Sequence, residues 1–181
     1  LEGRHLVEEA LRAGLALHWL LVAEDAPAAA PLRASAAAAG IEVIPCEPEL
    51  MRRAGDLDSP ADFLGWASRP QADAASLFAA LGPGAWLAVA VGVQDPGNVG
   101  ALARVAAGLG AAGFLACAGG ASPWHPRALR GSSGTLLRLP VAEQTAVADL
   151  APLARAHRAQ LRGADMRGED ARGAAEAWRA Q

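Results

Sequence analysis

An α/β fold with a parallel sheet is what this sequence predicts, and three observations predict it. The uncharged apolar run Trp86–Val93 has the length and continuity of a strand buried on both faces, which in an α/β protein is a central parallel strand. It passes through a sharp loop into a helical pattern and then into a second apolar run, Phe114–Cys117, which makes a βαβ crossover. Upstream, helical and strand patterns alternate between residues 4 and 67, as in a second, smaller α/β unit.

The elements follow in order. Arg4–Ala13 predicts a helix with Leu6, Val7, Ala10 and Leu11 on one face and Gly14 as its stop. Leu17–Ala23 is the first strand. Beyond the turn Glu24-Asp25-Ala26-Pro27, the alanine-rich Leu32–Ala39 is a helix ended by Gly40, and Ile41–Ile44 is the second strand. Pro48–Ala54 is a short helix that tolerates Pro in its first turn, where the missing N–H would be unpaired anyway. Phe63–Ala67 is the third strand. A unit of roughly 70 residues sits near the lower limit of independent stability.

Arg69–Gly84 is the expected boundary, with a short helix Asp73–Ala80 and then Gly82-Pro83-Gly84. The expected organisation is therefore 1–68, a linker 69–84, and a second domain 85–181. In that domain Asp95-Pro96-Gly97 stops the strand and Asn98 suits a helix N-cap. Leu102, Val105, Ala106 and Leu109 fall on one helical face, and Gly110 supplies the stop. Further on come a short helix Pro126–Arg130, a strand Leu136–Val141, a helix Val147–His157 and a strand Gln160–Gly163 with Ala164 at its carboxyl end. A polar segment from Met166 ends in an arm, Ala174–Ala180, that suits a helix.

Composition narrows the function. Hydrophobic residues make up 52% of the chain, enough for a packed core, while the net charge of −3 provides no global basic field to draw in nucleic acid. Any RNA contact must then use local arginine patches. All 16 basic residues are Arg. Cys46 and Cys117 each close an apolar run and read as buried reduced thiols, not a disulfide or a metal site. The four histidines show no metal-ligand spacing, and His125, between Trp124 and Pro126, reads as loop packing. The tryptophans at 19, 66, 86, 124 and 178 are scattered and read as core or interface anchors, not as a base-stacking platform. No apolar run reaches membrane-spanning length and no charged-then-apolar signal segment opens the chain, so the expected location is cytoplasmic.

Arg104 stands out. It lies one turn from Gly100 and one turn from Gly108, on a helix face with almost no side-chain bulk. That helix starts beyond the carboxyl end of a strand, where open α/β sheets collect ligands. Two readings are open: a surface approached closely by a ligand, or a solvated arginine among glycines that serve tight helix packing. Arg4, Arg127 and Arg130 are candidate RNA contacts with the same ordinary-surface alternative.

The segment Asp95-Pro96-x-Asn98-x-Gly100-Ala101-x-x-Arg104-x-Ala106, closed by Gly110, resembles the first signature motif of the SpoU (TrmH-like) family of RNA ribose 2′-O-methyltransferases, in the SPOUT superfamily. Ala128-Leu129-Arg130-Gly131-Ser132-Ser133-Gly134 followed by Leu139-Pro140-Val141 is similar to a later segment of that family. The opening, Glu2 to Leu11, resembles the start of the family's ribosomal-protein-like, RNA-binding substrate domain. Where that domain carries a Pro-Gln-Gly turn, this chain has Pro60-Ala61-Asp62.

The resemblance implies S-adenosylmethionine as cofactor, rRNA or tRNA as substrate, a homodimer for the full-length protein, and no metal or membrane. It implies that Arg104 is catalytic, that Asn98 belongs to the active site, and that Ala164 touches the cofactor. A ribose 2′-hydroxyl is a poor nucleophile, so methyl transfer needs in-line positioning and help for the oxygen as it loses its proton. Guanidinium keeps its proton, which assigns Arg104 to holding an RNA phosphate or stabilising the developing alkoxide in preference to acting as a base. Asn98 either caps its helix or places its amide on the substrate.

The family's second and third motifs, which carry most of the cofactor pocket and the trefoil knot, are expected beyond Gln181. The chain therefore reads as a fragment lacking the knot, inactive alone and a poor binder of the cofactor. The main rival is a non-catalytic RNA-binding or ribosome-assembly protein that keeps the fold. A nucleotide-binding α/β module is disfavoured by the lack of a glycine-rich lysine loop and of a dinucleotide glycine fingerprint.

Overall fold

Two three-stranded sheets organise the chain in the computed structural model, which describes residues 1–26, 29–55 and 61–164. In the first sheet β1 (Leu17–Ala23) is central, parallel to β2 (Glu42–Cys46) and antiparallel to β3 (Phe63–Ala67). The helix α2 (Ala29–Ala38) makes the crossover that parallel pairing requires. Alternation along β1 then divides the residues between two faces. Leu20 and Val22 are fully buried with Leu6, Val7 and Ala10 of α1 (Arg4–Arg12) and Leu32 and Ala36 of α2. On the other face Ala23 packs with Cys46, Leu64 and Met51 of α3 (Pro48–Ala54).

The second sheet is parallel throughout, in the order β4 (Leu87–Ala90), β5 (Gly113–Cys117), β6 (Val141–Thr145). On one side α4 (Ala74–Ala79) and α7 (Val147–Ala156) bury Leu77, Phe78, Leu150 and Ala154 against Leu115 and Ala142. On the other side α5 (Pro96–Gly108) and α6 (Pro126–Gly131) place Val99, Ala103, Ala128 and Leu129 over Phe114 and Ala116. The same hydrophobic cluster continues to Leu6 and Leu20, so it joins the two sheets. At this junction His5 Nε2 lies 3.2 Å from the Ser133 carbonyl, and the buried Glu9 pairs with Arg12 and with Arg138 at 3.3 Å. Gly134, at φ 78°, is required there, because a Cβ would stand 2.8 Å from the Glu9 side chain.

Four expectations are corrected. Trp86–Val93 is not strand throughout: β4 covers only Leu87–Ala90, and among the described residues it pairs on one side, with β5, which is buried at every residue. Leu102, Val105 and Leu109 do not face the core, being 46%, 59% and 71% exposed. The buried face of α5 is Val99, Gly100, Ala103 and Ala106, small residues that let α6 approach and that a hydrophobic-periodicity count underweights. Leu136–Val141 is not one strand, because Thr135–Leu137 forms a 3-10 turn that buries Leu136. The strand begins only after Pro140, which has no N–H for the ladder. Gln160–Gly163 forms no strand: with one apolar residue, Leu161, it runs irregular and exposed after α7. The expected helical arm Ala174–Ala180 lies outside the described residues.

Candidate active site

The loop that ends β4 is tied on both sides. Ala121 N–H donates to the Val93 carbonyl at 2.8 Å, and Gln94 Nε2 donates to the Gly119 carbonyl at 2.7 Å, joining the loops that follow β4 and β5. The helix then starts three residues earlier than expected. Asp95, not Asn98, is the N-cap of α5: its Oδ1 accepts the Asn98 N–H at 3.0 Å, and Pro96 occupies the first turn. Asp-Pro carries this signal as well as Asn does, since a carboxylate caps a helix equally well and proline favours its first position.

Asp95 Oδ2 also accepts from Arg127 Nη2 at 3.1 Å. The Asn98 N–H lowers the Asp95 carboxyl pKa most, desolvation opposes that, and the Arg127 charge adds to the lowering. Arg127 thus links the N-terminus of α6 to the cap of α5. His125 caps α6, its Nδ1 accepting the Arg127 N–H at 3.1 Å; this replaces loop packing as its role, and histidine at a cap is a weak sequence signal.

The glycines of α5 divide between the two readings. A Cβ on Gly100 would lie 2.2 Å from the Ala128 carbonyl oxygen and 2.8 Å from Ser132 N, so Gly100 lets α5 and α6 touch through their backbones. Gly108 has nothing within 4 Å of the same position. Ala101, Arg104 and Gly108 share an exposed side of α5, and Arg104 enters no hydrogen bond or ion pair among the described residues. With its backbone capped by Asp95, Asn98 keeps an exposed side-chain amide with no partner among the described residues. An exposed guanidinium and an exposed amide thus stand on one helix that starts at the carboxyl end of a sheet.

The other expected residues lie apart from this pair. Arg4 donates from Nε to Glu8 at 2.6 Å on the outer side of α1. Arg130 lies 3.9 Å from Glu2 Oε2, too far for a hydrogen bond, and its buried Nη1 has no hydrogen-bond partner. Ala164 is exposed in the irregular segment after α7, not at a strand end. Among the described residues no group of three His, Cys, Asp or Glu could hold a metal ion, and no helix is long and apolar enough to cross a membrane.

Fold and site define an α/β protein with one parallel and one mixed sheet, in which a helix with an exposed arginine follows a tightly pinned loop. The SpoU rRNA Methylase family profile matches residues 86–179, over half of the chain, and the chain belongs to that family. It is 49% identical over 51 residues to ribosomal RNA small subunit methyltransferase G 2 of Syntrophobacter fumaroxidans, a match covering 28% of this chain and 10% of that protein. The SpoU methyltransferase AviRb from Streptomyces viridochromogenes, solved in complex with the cofactor AdoMet, superposes with a TM-score of 0.76 at 21% identity, over 87% of this chain and 59% of that one. A solved RNA 2′-O ribose methyltransferase superposes with a TM-score of 0.65 at 26% identity, over 87% of this chain and 58% of that one. The chain thus spans under three fifths of the solved structures' length and a tenth of the curated relative's.

Proposed function

We propose that the protein containing this chain transfers a methyl group from S-adenosylmethionine to a ribose 2′-hydroxyl of structured RNA, ribosomal or transfer. The observation that carries the reading is Arg104: a permanently charged guanidinium, unpaired among the described residues, on an exposed helix side shared with Ala101 and Gly108, about two and a half turns from the Asp95 cap. The comparison with a 2′-O ribose methyltransferase supports the choice of oxygen, and the AdoMet complex of AviRb supports the choice of donor.

In this reading Arg104 holds the phosphate next to the target ribose, or meets the oxygen as negative charge grows on it, and Asn98 orients the nucleotide through its amide. Asp95 and Arg127 act through the backbone by holding the first turn of α5 in place. The donor supplies an electrophilic methyl on sulfur. Ala164, which the resemblance assigns to the cofactor, lies exposed on the irregular segment after α7. Arg104 and Asn98 are assigned to the RNA side of the reaction. Leu102, Val105 and Leu109, beside Trp86 on the open edge of β4, form an apolar strip that we assign to contact with a second copy in a homodimer.

Arg104→Ala and Arg104→Lys in the whole protein test the proposal. Loss of a donor that meets developing charge costs on the order of 100- to 1,000-fold in kcat. Lysine restores little, because one ammonium does not reproduce a planar fork. Unchanged kcat in Arg104→Ala, with weaker RNA binding only, would support a binding protein instead.

A further inference from the structure

The function proposed above uses α5 and leaves unexplained a groove on the far face of the first sheet. Trp19 on β1 and Trp66 on β3 are register partners, and their rings stack with centroids 6.0 Å apart and planes 12° from parallel. Cross-strand aromatic pairs stabilise a sheet, which accounts for Trp19. It does not account for Trp66, whose outer side is left 60% exposed. An indole prefers to be covered, because it carries a large apolar surface. Trp66 instead forms a wall of a groove of about 210 Å³ whose other walls include Leu64, Pro126, Leu129 and Arg130. That volume is below the roughly 300–1,000 Å³ typical of small-molecule pockets and suits one flat ring.

Arg130 lines the groove with its side chain 35% exposed; its buried Nη1 lies 3.9 Å from the carboxylate of Glu2, which also lines the groove and is itself only 8% exposed. Ala54 and Gly55 form the rim at the end of α3, whose last turn carries Arg52, paired with Glu49, and Arg53, which is exposed and unpaired among the described residues. A flat π-surface with guanidinium groups at its edge is the chemistry that takes a base by stacking and its phosphate by charge. In a chain with a net charge of −3, such local placement is where RNA attraction must reside.

We infer that this groove holds one unpaired nucleotide of the RNA substrate, its base stacked on Trp66 and its phosphate held by Arg130. The inference rests on RNA being the substrate. It adds a contact remote from the reacting ribose and makes a single-stranded or looped nucleotide part of what is recognised. It also revises the reading of the tryptophans as anchors alone.

The test uses the whole protein and a single-stranded oligoadenylate of about 12 nucleotides, within the range of single-strand site sizes, beside a duplex RNA of equal length. Intrinsic fluorescence and anisotropy titrations follow binding, and circular dichroism checks folding. Loss of a base stack implies that Trp66→Ala weakens single-strand binding by about tenfold or more, while Trp66→Phe, which keeps an aromatic face, stays within about threefold. Arg130→Gln lowers the salt slope by about one phosphate contact.

A folded Trp66→Ala protein that binds the oligonucleotide like wild type, or a wild type that does not bind it, overturns the inference. Methyl transfer measured on the same preparations separates the two readings. If wild type methylates RNA while Trp66→Ala binds normally, the groove assignment alone fails. If the Trp66 effect is present and no methyl transfer occurs, the proposed reaction alone fails.

Discussion

Substituting Gly100 by alanine tests the packing that presents the site, and its sign opposes ordinary helix propensity. In an open helix the change would stabilise by about 1 kcal/mol, since glycine is the weaker helix former. Here the new Cβ would stand 2.2 Å from the Ala128 carbonyl oxygen and 2.8 Å from Ser132 N, both backbone atoms that no rotamer change can move. Relief requires α5 and α6 to separate by about an ångström, and overpacking of that kind costs about 1–3 kcal/mol. Because the separation also strips contacts around Val99 and Ala128, we take the upper end and expect a net loss of about 1–2 kcal/mol. For a chain of this size that lowers Tm by about 2–8 °C.

Gly108→Ala is the internal control: with nothing within 4 Å of the new Cβ, it should leave Tm unchanged or raise it slightly. Thermal unfolding of the two variants by circular dichroism provides the comparison. A Gly100→Ala protein as stable as Gly108→Ala would refute the close α5–α6 contact and the placement of Arg104 that depends on it.

Acid should loosen the start of α5. The Asp95 carboxyl is lowered in the folded chain, so its contribution is fully present above the ordinary carboxylate value of about 4 and is lost as pH falls through the lowered folded value. Hydrogen exchange at the Asn98 amide should accelerate only in that acidic window, and Asp95→Asn should flatten the dependence while keeping a cap. Cys46 and Cys117 are free and buried, and burial pushes the Cys117 thiol up. Neither should react with a thiol reagent at neutral pH until the chain unfolds, and rapid labelling of the native protein would contradict that burial. Leu109→Glu, at a position 71% exposed, should leave monomer stability within about 0.5 kcal/mol. In the whole protein it should shift sedimentation toward monomer, and a dimer of unchanged affinity would remove the α5 strip from the interface.

Legibility followed the physics of each signal. Arg4, Leu17, Pro48 and Phe63 open their elements as the sequence indicates, because turn residues and apolar periodicity agree there. Periodicity failed on α5, where Leu102, Val105 and Leu109 form the more hydrophobic stripe although Val99, Gly100, Ala103 and Ala106 are buried. Close backbone approach is encoded by small size, which a hydrophobicity count does not register. Its counterpart on α6 is Gly131, whose Cβ would lie 2.8 Å from the Gly97 carbonyl oxygen.

Strand readings ran long at Pro140 and around β4, while β2 runs on through Pro45 to Cys46, past the expected end at Ile44. The site loop was legible as a turn, but Asp-Pro supplies the cap and leaves the Asn98 amide exposed. The Trp19–Trp66 stack was not legible, because the two residues lie far apart in sequence and only the antiparallel register of β1 and β3 brings them together.

The most direct test of the proposed reaction is chemical mapping of RNA treated with the whole protein and labelled S-adenosylmethionine. A methylated 2′-oxygen cannot attack its neighbouring phosphodiester, so wild type should leave one alkali-resistant linkage carrying the label, and Arg104→Ala should not. Label recovered on a base, or an equal yield of the resistant linkage from Arg104→Ala, would contradict the role assigned to that guanidinium.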